Sequence, residues 1–217
     1  MTIHDALHQI DPEKGKQLAA QYFEESYSFP GTGTFTGSHF ESFAGAPNPV
    51  NEVTAADLLA VQTLAVTVSS RAALGILETY AQRISELLSD IDPTLKLEEV
   101  RDEGDFEAVL GKNSSAQALW DLLRRNNPEA KRWNLGATTA SKIMARKRPH
   151  LIPIDDSVVT RVIGRGTASS WRMWRDELLA DNYLIERADE IKEHVERTDL
   201  STLRALDIVL WQYGKTL

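Results

Sequence analysis

Apolar residues in this chain recur three and four positions apart through most of its length and show no useful run of strict alternation, a pattern that predicts helices rather than strands. Asp11 before Pro12 reads as an N-cap with proline at the first helical position and opens a helix over 12–25. Thr54 caps a segment over 55–66 whose apolar positions crowd all round, as in a buried central helix. Ser70 opens 71–91, where Ala73, Ile76, Leu77, Tyr80, Ile84 and Leu87 share one face. Ser114 or Ser115 caps 116–126, which Asn127 and Pro128 end. Ser169 or Ser170 opens 171–182, a further helix takes 183–197, and Ser201 opens 202–214 with Gly214 as its C-cap. The expected fold class is all-α.

The exception to this periodicity lies near the start. Residues 28–51 are rich in Gly, Pro, Ser and Thr with no helical period, and predict a long loop with a short extended piece near Phe40. Gly31, Gly33 and Gly37 superficially suggest a phosphate-cradling loop, but a strand before, a helix after and the required spacing are all missing. A length of 217 residues with 42% hydrophobic content supports one core. The chain therefore reads as a single domain over 1–217, with 1–53 an N-terminal helix and loop elaboration on a helical core over 54–217. No apolar run approaches the length of a bilayer span and no signal peptide is evident, so a cytoplasmic protein without membrane contact is expected. With no Cys there are no disulfides, thiolate zinc sites or cysteine-bound iron–sulfur clusters.

Charge changes the picture. The net charge of −8 argues against a nucleic-acid partner, yet residues 131–175 hold ten basic residues against only Asp155 and Asp156. Such asymmetry is the footprint of an anion-binding face on an acidic body, and DNA or another anionic ligand is the expected partner. Within this window Asn134, Leu135 and Gly136 make a tight turn, and Thr138 or Thr139 starts a helix through Ala145. Free amides at that helix start, beside Lys142, Arg146, Lys147 and Arg148, suit a phosphate. Pro149 and Pro153 force an extended connection. Asp155 or Asp156 then begins a helix over 156–165, where the dipole favours an ionised carboxylate.

This arrangement resembles the helix-hairpin-helix DNA glycosylase superfamily, whose hairpin reads L-P-G-V-G-x-K-T-A and whose catalytic aspartate follows in V-D-x-H-V-x-R-V. Gly136, Thr139, Ala140, Asp156, Val159, Arg161, Val162 and Arg165 fall into that register without a gap. The resemblance implies a glycosylase-like helical bundle, catalysis by Asp156, and nucleic-acid contacts from Asn134, Gly136, Thr138, Thr139, Lys142, Arg146, Lys147, Arg148, Arg161 and Arg165. Thr138 stands where bifunctional members carry the Schiff-base lysine, which removes lyase chemistry by that route. Asn134 replaces the first hairpin glycine and can adopt positive φ. The chain as a whole is also similar to a family of bacterial proteins of unknown role that share the signatures seen here at Thr138 to Lys142, Leu151 to Asp156 and Leu206 to Trp211.

A second carboxylate joins Asp156 as a catalytic candidate. Asp207 lies among apolar residues on a central helix, and a buried carboxylate needs a partner; Arg161 or Arg165 is expected to supply it. Trp171, Trp174 and Trp211 either stack on bases or fill the core. His4 and His8 have helical half-site spacing but no third ligand, and His39 and His150 stand alone, so no metal or other cofactor is expected. Two functions remain. One is a nucleic-acid-binding monofunctional N-glycosylase that releases a base without cutting the strand. The other is a noncatalytic all-α module whose basic window docks an acidic protein or other anionic partner, with Asp156 serving only as a helix cap.

Overall fold

In the computed structural model of the chain, residues 2–28, 31–45, 48–124, 133–164 and 169–217 are described. They form twelve α-helices and no strand. The first six are α1 (Ile3–Gln9), α2 (Pro12–Phe23), α3 (Ala55–Gln62), α4 (Ser70–Leu74), α5 (Ala81–Ser89) and α6 (Glu103–Val109). The rest are α7 (Ser115–Arg124), α8 (Ala137–Lys147), α9 (Ser157–Ile163), α10 (Ser170–Ala180), α11 (Tyr183–His194) and α12 (Thr202–Gly214). The expected all-α class is therefore found. No helix among these residues is long and apolar enough to cross a membrane.

Several helix starts follow directly from side-chain chemistry. Thr54 and Asp57 satisfy each other's backbone amides in a capping box at α3, and Asp11, Asp156, Ser169 and Ser201 cap α2, α9, α10 and α12. Three expectations need correction. The helix expected over 71–91 is capped by Ser69 and is interrupted by a π-helical turn over Gly75–Thr79. A Cβ on Gly75 would lie 2.4 Å from the Trp133 ring, so the indole occupies the notch that glycine leaves, and the helix widens there. Residues 55–66 are helical only to Gln62, because Ala65 takes a left-handed φ of 58° and turns the chain. Gly214 is the last residue of α12 rather than its cap.

Helix α12 is the hub. Nearly all of it is buried, and it packs against α2, α9 and α11. Gly214 lets α9 approach closely, since a Cβ there would meet Val158 and Val162 at 2.7 Å. The N-terminal residues share this core: Ile3, Leu7 and Phe40 belong to the same buried cluster as Leu206, Val209 and Leu210. The segment expected as a loop after α2 has one antiparallel bridge, Glu25 to Gly33, and a 3₁₀ turn over Thr36–His39. Phe40 is helical in backbone rather than extended.

The triplet Arg146, Lys147 and Arg148 explains how that loop is held, and corrects the expectation of an exposed basic face. All three side chains turn inward. Arg146 donates to the carbonyls of Phe40, Glu41 and Phe43, and its Nε lies 3.1 Å from Asp57 Oδ1. Lys147 Nζ sits 3.0 Å from Asp57 Oδ2 and 3.2 Å from Asn48 Oδ1. Arg148, only 1% exposed, donates to the carbonyls of Val50, Leu88 and Ile91 and to the Asn51 side chain. Its guanidinium thus also caps the C-terminal carbonyls of α5. Burial works against charge on Lys147, and Asp57 opposes that by holding the ammonium. These cations staple residues 40–43 and 48–51 to the helices and are not available to phosphate.

Candidate functional site

A cleft of about 540 Å³ opens where the start of α8, the cap of α9 and the middle of α12 converge under the stapled loop. Asp156 and Asp207 both line it, together with Thr138, Lys142, Arg204 and an aromatic group of Tyr22, Phe35 and Trp211. Tyr22 and Phe35 stack at 5.5 Å, and Trp211 meets Phe35 edge-on at the same distance. Leu64, Ala65 and Val66, the residues of the tight turn after α3, complete the opposite wall.

Asp156 does two jobs at once. One carboxylate oxygen accepts from the Val158 amide at 2.8 Å, which caps α9. The other lies 3.3 Å from Lys142 Nζ, and that ammonium also donates to the Leu64 carbonyl at 2.9 Å. Lys142, expected as a surface phosphate contact, is 3% exposed and is the charge partner of the candidate catalytic carboxylate. The Asp155 amide donates to Ser141 Oγ at 2.9 Å, tying the connection after Pro153 to α8 and fixing where Asp156 stands.

Asp207 is held differently. Its Oδ2 lies 2.6 Å from Arg204 NH1, one helical turn back, so Arg204 is its partner, and not the exposed Arg161. Its Oδ1 is buried and has no hydrogen-bond partner among the described residues. Burial pushes the Asp207 carboxyl up to about 6; Arg204 opposes this and the nearby negative charge of Asp156 adds to it. Burial likewise works against the charge on Arg204, yet Glu41, Tyr22 and Asp207 around it hold the guanidinium firmly protonated. Arg204 donates to Glu41 at 2.8 Å, to Tyr22 Oη at 2.8 Å and to the Gly37 carbonyl at 3.1 Å, so the loop and α2 are fastened to the site by one side chain. Burial raises the Tyr22 phenol above its ordinary range and favours its neutral, hydrogen-bonding form.

The remaining sequence candidates scatter. Thr138 lines the cleft, whereas Thr139 is buried. Asn134 has the expected positive φ, 59°, and is exposed, as is the capping Gly136. Arg161 is exposed on α9. Arg165, with Lys131 and Arg132, lies outside the described residues, as does most of the link between α7 and α8; the expected turn at Asn134, Leu135 and Gly136 is irregular backbone leading directly into α8. Trp171 and Trp174 are core residues, and only Trp211 of the three reaches the cleft. His4 packs on His8, which stacks on Tyr183, and no group of three or more His, Asp or Glu among the described residues could hold a metal ion. Sequence reasoning missed Tyr22, Phe35, Glu41 and Arg204. The Arg204 to Asp207 spacing of three was a readable signal; the loop residues offered none.

Chemically, the cleft sets an ion-paired carboxylate at a helix N-terminus beside a second carboxyl that can carry a proton near pH 6, under aromatic walls. No curated protein and no solved structure matches the chain. One family model does, over residues 15–214. That span is nearly the whole sequence, and the chain belongs to this family of unknown function, DUF6308.

Proposed function

We propose that the cleft binds a nucleoside-type ligand and hydrolyses its N-glycosidic bond. Asp156, paired with Lys142, stabilises positive charge developing on the sugar, orients the attacking water and takes its proton. Asp207 hands a proton to the departing base. The observation that carries this reading is that two carboxylates in different electrostatic settings line one aromatic-walled cleft. A carboxylate paired with an ammonium and a carboxyl pushed by burial toward its neutral form divide naturally into a stabiliser and an acid. The helix-hairpin-helix glycosylase resemblance supports the same assignment, because Thr138 and Asp156, the two positions in register with that superfamily's catalytic lysine and aspartate, meet at this cleft.

The burial of Arg146, Lys147 and Arg148 shapes the substrate expected. Of the other cations in the basic window, Arg172 is committed to Glu103 and Glu107. Arg161 is exposed, and among the described residues of the window few such charges remain to grip the backbone of a long duplex. The substrate is therefore a single nucleoside unit, free or held in an unpaired strand. The same burial argues against a noncatalytic module that would dock an acidic protein through Arg146, Lys147 and Arg148.

The test is a scan for released base, by liquid chromatography, over free nucleosides and over single-stranded and duplex oligonucleotides carrying altered bases. The expected result is base release from nucleosides or unpaired strands, leaving intact abasic strands in the oligonucleotides. Release that requires a duplex would overturn the substrate assignment, and no release from any member would overturn the activity.

A further inference from the structure

A second cavity, of about 240 Å³, lies on the far side of Arg204 and Asp207 and shares these residues and Ile154 with the cleft. Its walls are apolar where Phe40, Ile152, Ile154 and Leu203 face it. Liquid water takes about 30 Å³ per molecule, so the space is large enough for a ring-sized guest. Its polar end is unusual. Glu41 Oε1 and Asp207 Oδ2 both bind the guanidinium of Arg204, at 2.8 and 2.6 Å. The second oxygen of each carboxylate, Glu41 Oε2 and Asp207 Oδ1, is buried without a partner among the described residues. Asp207 itself is only 5% exposed. Arg204 thus acts as a spacer that fixes two unused acceptors on residues lining one small apolar space.

Unused buried acceptors select for donors, because a guest that leaves them unpaired forfeits the hydrogen bonds they lost from water. The cations Arg146 and Arg204 of the lining are set against the carboxylates of Glu41, Asp199 and Asp207, so net charge does not choose the guest and selection falls to the unused acceptors and the apolar walls. A flat molecule with N–H donors on one edge meets both demands. We infer that this cavity is the base-recognition subsite, and that it takes a heterocycle bearing an exocyclic amine in preference to one bearing a carbonyl at the same place. The inference rests on the reading of the cleft as an N-glycosidic site, because it seats the base on one side of Asp207 and the sugar on the other.

Calorimetric titration of the full chain at pH 8 with cytosine, adenine, uracil and hypoxanthine tests it without requiring turnover. The expected result is that cytosine and adenine bind at least about tenfold more tightly than uracil and hypoxanthine. Glu41→Gln, which replaces one acceptor by an amide, should erase most of that preference. Should Glu41→Gln unfold, Ala145→Leu serves instead: it narrows the cavity from α8 while leaving Glu41, Arg204 and Asp207 intact, and should weaken all four bases. Equal binding of all four bases by wild type, a preference unchanged in folded Glu41→Gln, or affinities unchanged in Ala145→Leu overturns the subsite while base release in the cleft still stands. A preference lost as expected in a protein that releases no base supports the subsite and removes the catalytic reading.

Discussion

Replacing Asp207 by Asn should stabilise the protein at alkaline pH, although it removes a residue of an ion pair. The carboxyl is pushed from its ordinary 3.8 up to about 6 by burial, even with Arg204 pulling the other way. The folded state therefore holds this proton more tightly than the unfolded chain. A raised pKa contributes stability that is fully present below pH 3.8 and is lost as pH rises through about 6. At 1.36 kcal/mol per pH unit, the loss above pH 7 is at most about 3 kcal/mol. Asn imitates the protonated form and escapes that loss, while Arg204 keeps Glu41 and Tyr22 as partners. Asp207→Asn should thus exceed wild type by up to about 3 kcal/mol at pH 8 and match it near pH 3.5. In a chain of this size that is a rise in Tm on the order of 6–12 °C. Urea denaturation at both pH values measures it. A variant less stable than wild type at pH 8 would mean that the attraction of Arg204 outweighs burial, and Asp207 would then be a structural ion-pair partner with no proton to give.

Asp57→Asn should be among the most damaging single changes, by about 3–5 kcal/mol in urea unfolding, because Arg146 and Lys147 would keep their charges inside the protein with one carboxylate gone. Neutralising Arg146, Lys147 and Arg148 together should unfold the chain by circular dichroism rather than alter the salt dependence of ligand binding. Gly37→Ala puts a Cβ 2.1 Å from Tyr22 Oη and 2.8 Å from Leu64; limited proteolysis should find new cleavage in residues 31–45 and base release should fall. Gly214→Ala forces α12 off Val158 and Val162, lowering stability by about 1–3 kcal/mol and separating the helices that carry Asp207 and Asp156.

Much of this was legible because helix caps are local. Thr54, Asp156 and Ser201 announced their helices through oxygen atoms that reach only two or three residues along the chain. Helix α1 escaped notice although Thr2 and Asp5 form a capping box and Ile3, Ala6 and Leu7 face the core; α6 did too, being seven residues long with one buried aromatic, Phe106. The break at Gly75 depends on Trp133, far away in sequence, and no periodicity reveals such an intrusion. The basic window misled for a related reason. Sequence gives the sign of Arg146, Lys147 and Arg148 but not the company they keep, and Asp57 and the loop carbonyls lie roughly ninety to a hundred residues earlier. The two carboxylates were found because each breaks a local rule: one begins a helix within a basic stretch, and the other interrupts an apolar face. The loop supplies Phe35 and Glu41 through long-range contacts that composition does not encode.

The claim that Asp156 is a reacting group, and not only a cap, is tested most directly by comparing base release by wild type and by Asp156→Asn on the best substrate of the scan, at pH 6 and with unfolding curves measured on the same samples. Asn caps a helix about as well as Asp, so the unfolding midpoint should hardly move. The negative charge is gone, so base release should drop by about 10²–10⁴ while the affinity for substrate stays within a few fold. A folded Asp156→Asn protein that releases base at the wild-type rate would contradict the account and leave Asp156 a helix cap.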